Sequence, residues 1–446
     1  MTSKEMKNIL QELYLKDRTY VSDDYDYCLN YLKEYLDFNI IKVPSGRSYW
    51  HWIIPEKYTV KDAYIQDQDT GEVIIDAKNH PLHLGSYSQA FEGVLDYNEL
   101  KEHLYWKKDV PEGIPYYFKF MYRPWEKGWK FCMSYDHFQK LNKDHKYYVK
   151  IETFFDKGEL KIAEYFKQGE SDDTVLLVSH LDHPGQVNDG LSGTVVELAA
   201  MLELLRKETY YSYSLLIVQE YIGSVAYLNQ CKNITNIKMG IFSEMLTTGL
   251  ELQLKKSFSG NTYIDRVGEI VFKDYLEENE IVNYFDGPGN DELVFESPGV
   301  EIPFVSIMRG ESDGKVYRQY HTHLDNMDLV NERELEESLN IINRVISVLE
   351  DDCFVKRTFD GFICYSHPDL NLYIEKNNYH LCGIQASDEN IYNLRKFLFG
   401  GVRYFDGKHR VSELALKFNI PFELLIFFVM KMKEKALVSI SKRAFS

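Results

Sequence analysis

Apolar positions recur with three different periods along this chain, and each period predicts a different kind of element. From residue 1 to about 45 they fall at helical spacing: Ile9, Leu10, Leu13 and Leu15, then Cys28, Leu29, Tyr31, Leu32 and Leu36. From "SYWHWIIPEKYTV" to about 150 the runs are short and rich in aromatic and β-branched residues. "YWHWII", "AYIQD", "EVIID", "YYFKFMY", "WKFCMS" and "YYVKIETFF" read as strands, separated by the turn signals "DTG", "KNHP", "EKG" and "NKD". Within them, the heptad-like "LDYNELKEHLYW" predicts a short helix.

From about 160 to 352 apolar strands alternate with amphipathic helices. "TVLLVS" precedes "GTVVELAAMLELLRK", and "YSLLIVQ" precedes "GSVAYLNQC"; then come "KMGIFS", "YIDRVGEIVFKDYLEEN", "IPFVSIM" and "ELEESLNIINRVISVLED". This alternation implies an α/β fold, a mainly parallel sheet covered by helices on both faces. Beyond about 375, "DGKHRVSELALKFNIPFELLIFFVMKMKEKALVSI" has the order helix, turn, helix and β-prone tail, which is that of a winged-helix module. No internal repeat is evident.

Length and charge narrow the function classes. With 446 residues the chain is expected to form two or three domains, and 44% hydrophobic with 27% charged residues is the composition of a soluble globular protein. A net charge of -18 argues against a non-specific nucleic-acid surface. Cys28, Cys132, Cys231, Cys353, Cys364 and Cys382 are scattered without a CxxC pair, as expected of free thiols in a reducing compartment. The first twenty residues carry no apolar core of a signal peptide, and "LLIFFVM" is far shorter than a membrane helix. A cytoplasmic protein with no membrane partner is therefore expected, with homo-oligomerisation left open.

Candidate chemistry gathers at the strand ends of the α/β region. His180 and Asp182 follow "VLLV", Glu220 follows "LLIVQ", Glu244 follows "MGIF" and a serine, and His321 lies in the loop after "IPFVSIM". Ligands of open α/β sheets bind beyond the carboxyl ends of the strands, so separate strands deliver these groups to one edge. Imidazoles and carboxylates converging there are the donor set of a zinc site, and two ions sharing a carboxylate can act together on a carbonyl. Asp182 is placed to orient His180 through the other ring nitrogen. Asp189, in "VNDGLSG", precedes a predicted helix, and Gly190 and Gly193 relax the backbone there. His183 before Pro184 reads as a ligand or a loop residue, and Asp291 and Glu292 of "GPGNDE" as site residues or a turn. His323 competes with His321, and Asp325 reads as structural.

"SHLDHPGQVNDGLSGTVVELA" resembles the metal-binding segment of co-catalytic zinc aminopeptidases of the bacterial leucyl-aminopeptidase type. "QEYIGSVAYL", "GIFSEMLTTG", "GPGNDELVFESPGVEIPFVSIMR", "YHTHLDNMD", "PSGRSYWHWIIPEKYTVKDAYI" and "DGKHRVSELALKF" are similar to a bacterial aminopeptidase-like family associated with polysaccharide biosynthesis. The resemblance implies a zinc-peptidase fold with an inserted β-domain and a C-terminal winged helix. The expected divisions are residues 1–50 (N-terminal helical part), 51–158 (inserted β-rich domain), 159–355 (α/β domain) and 356–446 (winged-helix-like domain).

By the same resemblance, His180, Asp189, Glu244 and His321 are ligands of one or two zinc ions, Asp189 bridges, and Asp182 orients His180. The departure is at "QEY", where the peptidases carry two adjacent glutamates. Either Glu220 is the general base and the second metal has lost a ligand, or Glu220 is the ligand and Gln219 replaces the base, or Asp291 or Glu292 compensates. The implied function is a zinc-dependent hydrolase cleaving an amide bond of a small peptide or amino-sugar-linked substrate, with Glu220 activating water. The alternative is a catalytically weakened peptidase fold acting as a binding or scaffold module in polysaccharide biosynthesis. The second helix of the winged-helix segment, "PFELLIFFVMKMKEK", is too apolar to read a DNA groove and is expected to dock on protein.

Overall fold

The computed structural model describes residues 1–276, 280–311, 314–374 and 387–445. Cys382 and the end of the "YIDRVGEIVFKDYLEEN" helix at 277–279 lie outside the described residues. Two compact units form, one from Met1–Gly260 with Val282–Leu339 and the other from Asn261–Ile281 with Asn340–Ser446. Their division falls inside one long helix, Glu332–Asp351.

The first unit begins with α1 (Ser3–Leu13) and α2 (Asp23–Lys33). A reciprocal Thr2–Glu5 cap starts α1, and Met6, Ile9, Leu10 and Leu13 are its buried stripe. Next come β1 (Asn39–Pro44), β2 (Lys57–Asp67), β3 (Val73–Asp76), β4 (Phe91–Asp96) and β5 (Lys146–Asp156). The last four make an antiparallel sheet in the order β3-β2-β5-β4. Ala63, Ile65, Ile75, Tyr147, Val149 and Ile151 pack with Leu100, Trp129 and Phe131 into a core of their own. The β-rich segment therefore buries its own apolar face.

The main sheet uses β1 with β6 (Glu159–Lys167), β7 (Thr174–His180), β8 (Ser212–Val218), β9 (Ile237–Ser243), β10 (Leu252–Lys255) and β11 (Phe304–Arg309). These seven run in the order β1-β6-β8-β7-β9-β11-β10. β8, β7, β9 and β11 are parallel neighbours, and the outer pairings are antiparallel. Every residue of β7 and β8 is buried, as expected of strands covered on both faces. α3 (Gly193–Leu204) packs on β7, β8 and β9, and α4 (Ile222–Gln230) on β6 and β8. Leu176, Val178, Leu216 and Val218 share an apolar cluster with Ile222, Val225 and Ala226 of α4. The mixed α/β architecture is the one the alternating pattern predicts.

One expected strand is a helix. "YYFKFMY" turns at Lys119–Tyr122 and buries Phe120 and Met121. A run apolar at nearly every position has no period to distinguish the two. "YWHWII" yields only the two-residue strands Ser48–Tyr49 and Trp52–Ile53, whereas "LDYNELKEHLYW" contains the helix Tyr97–Lys101, capped by Asp96 and Glu99.

The second unit contains α5 (Tyr263–Tyr275), part of α6 (Glu332–Asp351), α7 (Asp388–Gly400), α8 (Val411–Phe418) and α9 (Phe422–Glu434). Its three-stranded antiparallel sheet has the order β13-β12-β14, with β12 (Phe354–Arg357), β13 (Asp406–Arg410) and β14 (Val438–Ser441). The apolar run of α9 is buried at Phe422, Leu424, Leu425, Phe428, Val429 and Met432. No helix among the described residues is long and apolar enough to cross a membrane, and the five cysteines described are free.

Candidate metal centre

Parallel register brings the strand ends together. His180 on β7 pairs with Val218 on β8, and Val178 pairs with Phe242 on β9. Glu220 and Glu244, just past β8 and β9, therefore emerge at the same edge as His180. Asp189 reaches that edge through a turn at Gly190, whose φ is +85°. A Cβ on Gly190 would lie 2.5 Å from the His180 carbonyl oxygen and 2.6 Å from the imidazole, so the close approach requires glycine. α3 is seated as tightly, because a Cβ on Gly193 would lie 1.8 Å from the Ser243 carbonyl oxygen.

Three residues with side chains are left-handed at this edge: Tyr221 (φ 57°), Met245 (φ 53°) and His321 (φ 54°). Such conformations cost about 1–3 kcal/mol each and persist where surrounding bonds fix them. The Tyr221 N–H donates to Asp291 Oδ1 at 3.0 Å, and the Met245 N–H donates to the Asn188 carbonyl at 2.8 Å. Asp325 fixes the Asp189 turn by accepting the Asn188 and Asp189 N–H groups at 3.0 and 3.1 Å and the Tyr317 hydroxyl at 2.8 Å. Arg18 braces the preceding loop, donating to the Leu181 carbonyl at 2.8 Å and the Gln186 carbonyl at 2.9 Å.

Asp189 is the hub. Its Oδ2 lies 2.8 Å from His183 Nδ1 and 2.9 Å from His321 Nε2, and its Oδ1 lies 3.5 Å from His180 Nε2. His180 Nε2 is 3.2 Å from Glu244 Oε2, and His183 Nε2 is 3.2 Å from Glu220 Oε2. The ligand atoms of His180, Asp189 and Glu244 converge within 4.8 Å of one another, as do those of His183, Asp189 and His321 and those of His180, Asp182 and His183. Both Asp189 oxygens, His183 Nδ1 and His321 Nε2 are buried without a hydrogen bond of proper angle, despite these short separations. Buried imidazole and carboxylate atoms gathered this closely without hydrogen bonds between them have the composition of a cation-binding set.

Buried charges tune one another. Burial lowers the His180 imidazole, but Asp182, Glu244 and Asp189 outweigh it and hold the ring well above its ordinary value. Burial raises Asp189, but His183 and His321 bring it well below the carboxylate range. Burial pushes Glu244 up to about 7 against the opposing pull of His180, and lowers His321 more than Asp189 raises it.

His180, Asp182, Asp189, Glu220, Glu244 and His321 are all brought together. Asp182 Oδ1 sits 3.4 Å from His180 Nδ1 and accepts the Glu220 N–H at 2.7 Å, so it ties two strand ends. His183, left open by the sequence, stands between Asp189 and Glu220. Gln219 points away, donating to the Tyr20 and Lys161 carbonyls at 3.1 Å each. Glu292 pairs with Lys255, Asp291 is used on Tyr221, and His323 Nδ1 accepts the Ile114 N–H at 2.9 Å.

Two contributors escaped the sequence reading. Asn290 donates through Nδ2 to Glu244 Oε2 at 2.9 Å, and the Tyr122 hydroxyl donates to Glu220 Oε2. Tyr122 lies edge-on to Tyr20, Trp52, Phe118 and Tyr221. The only sequence signal for this wall was the aromatic content of the segment that supplies most of it.

The chain is similar to known proteins over nearly its full length. A Clostridium acetobutylicum protein named "Putative polysaccharide biosynthesis protein with aminopeptidase-like domain" is 28% identical over 425 residues, covering 94% of this chain and 93% of that one. A crystal structure of a "putative peptidase" from the same organism superposes with a TM-score of 0.83 at 26% identity, covering 98% of this chain and 96% of that one. The fold also matches BSAP, a zinc aminopeptidase from Bacillus subtilis, with a TM-score of 0.56, 12% identity and coverage of 77% and 94%. Its α/β architecture is thus that of the aminopeptidases, and the chain belongs to the family described as "Domain of unknown function (DUF4910)", whose model matches residues 7–352.

Proposed function

We propose that this chain is a zinc-dependent hydrolase of the aminopeptidase type that cleaves an amide bond of a small peptide or amino-sugar-linked substrate. The observation that carries the reading is the position of Asp189, whose carboxylate faces His180 on one side and His183 with His321 on the other. His180, Asp189 and Glu244 would hold one zinc ion, and His183, Asp189 and His321 a second. Zinc bound there supplies Lewis-acid polarisation of the scissile carbonyl and activation of a water. Asp182 orients the His180 ring. Glu220 accepts the proton of the attacking water at its carboxylate and returns it to the leaving amine. Tyr122 and His183 fix that carboxylate, and the aromatic wall shields it from bulk water.

In this reading "QEY" loses nothing essential. Gln219 serves the scaffold, Glu220 serves the chemistry, and His183 stands in for the missing carboxylate ligand.

A second reading, a binding or scaffold module for polysaccharide biosynthesis, is favoured by the presence of a single glutamate at the β8 end. It predicts bound metal without turnover. Metal analysis of the purified protein tests the first reading, with stoichiometric zinc expected and one equivalent lost in His180→Ala. No stoichiometric zinc, together with a His180→Ala variant indistinguishable from wild type, would sink it.

A further inference from the structure

The segment that brings Asn290 to the metal centre has glycine on either side of Pro288, so its position has to be imposed by its surroundings. What imposes it is a buried ion pair. Lys255, the last residue of β10, meets the Glu292 carboxylate, and both side chains are 1% exposed. The same ammonium donates to the Pro288 carbonyl at 2.5 Å and stands 5.5 Å over the Tyr284 ring. The two Glu292 oxygens in turn accept the Asn290 N–H at 3.0 and 3.1 Å.

The residues held in this way touch both parts of the proposed chemistry. Asn290 Nδ2 donates to Glu244 Oε2 at 2.9 Å and lies 3.3 Å from His180 Nε2. Its Oδ1 accepts the Asp291 N–H at 2.8 Å. Asp291 Oδ1 accepts the Tyr221 N–H at 3.0 Å, and the Gly289 carbonyl accepts the Tyr221 hydroxyl at 2.9 Å. Tyr221 directly follows Glu220. Residues 288–292 therefore link Lys255 to a proposed zinc ligand and to the neighbour of the proposed base.

A buried ion pair seldom gains stability over apolar residues of similar volume, because both charges lose their hydration. The bonds that this pair makes to the Asn290 amide and the Pro288 carbonyl are directional and charge-assisted, and apolar side chains could not make them. We propose that Lys255 and Glu292 are positioning residues of the metal centre, clamping residues 288–291 so that Asn290 holds Glu244 in the orientation zinc binding requires. This role rests on the reading of His180, Asp189 and Glu244 as one zinc site. Removing an outer partner of a ligand costs roughly 10–100-fold in metal affinity.

Competitive zinc titration of the metal-free full-length protein tests this, reading the equivalent that His180→Ala removes. Asn290→Ala should weaken that equivalent about 10–100-fold and leave the other unchanged. Lys255→Met/Glu292→Leu replaces the pair by apolar volume and leaves no buried charge unpaired; it should weaken the same equivalent at least about tenfold. If the pair acts through Asn290, the triple variant binds no more weakly than the weaker of these two, within about a factor of two. Unchanged affinity in Asn290→Ala overturns the proposal, whatever the other variants do. So does unchanged affinity in the double variant, a double variant that fails to fold, losses that multiply in the triple variant, or equal weakening of both equivalents. Wild type that takes up no zinc overturns the metal centre and the clamp together, whereas any of these results with two equivalents in wild type overturns the clamp alone.

Discussion

The hydroxyl of Tyr122 donates its hydrogen bond to Glu220 Oε2, so the β-rich segment reaches into the chemistry of the strand ends. The bond fixes the orientation of the proposed base through a residue 98 positions away in sequence. A hydrogen bond to a charged group contributes about 1.5–3 kcal/mol. Tyr122→Phe is therefore expected to lower kcat roughly ten- to hundredfold with little change in zinc content or melting temperature. Unchanged kcat would show that Glu220 is positioned without Tyr122.

The two halves of the donor set should separate by mutation. His180→Ala is expected to remove one zinc equivalent and His183→Ala the other, while Asp189→Asn weakens both. Each loss should exceed the roughly 10–100-fold cost of removing an outer-shell partner. Titration of the metal-free protein with zinc checks this. Two full equivalents in His183→Ala would return His183 to the status of a loop residue.

Gly190 carries the turn that places Asp189 over His180. With φ at +85° and the His180 carbonyl oxygen only 2.5 Å from a would-be Cβ, Gly190→Ala must push the two segments apart. The expected cost is at least about 2 kcal/mol in denaturant unfolding. A variant as stable as wild type with full zinc binding would contradict the proposed fit.

Asp17 supplies a pH dependence of known sign. Burial, reinforced by Asp24, raises its folded-state value from 3.8 to about 7, so between those pH values the folded chain keeps a proton that the unfolded chain gives up. Its contribution to stability falls as pH rises through that window and stays low above it. Asp17→Asn should therefore be more stable than wild type above pH 7, by of the order of 1–3 kcal/mol. The gain should vanish below about pH 4. Thermal melts of both proteins across pH measure the difference.

Much of this was legible in the sequence because β7, β8 and β9 are short, mainly apolar and parallel. Their ends had to coincide, so His180, Glu220 and Glu244 could be placed from strand positions alone. Asp189 was placed by its position just ahead of a predicted helix, and its bridging role came from the family resemblance. His183 and His323 were harder, since the choice between neighbouring imidazoles depends on how the loops fold: His183 turns to Asp189, whereas His323 turns to the Ile114 amide. Tyr122 and Asn290 had no local signature at all. One lies in an aromatic run without a period, the other in a turn, and only long-range packing aims them at Glu220 and Glu244.

The central claim is that the Asp189-centred cluster, with Glu220 beside it, hydrolyses an amide bond. Turnover of a panel of aminoacyl-anilides by the zinc-loaded protein, wild type against Glu220→Gln, tests it most directly, with zinc content measured on both samples. The account predicts steady release of the aniline by wild type and a loss of about 10²–10⁴-fold in Glu220→Gln at equal zinc content. Full zinc occupancy without turnover, or turnover that Glu220→Gln leaves intact, would contradict it.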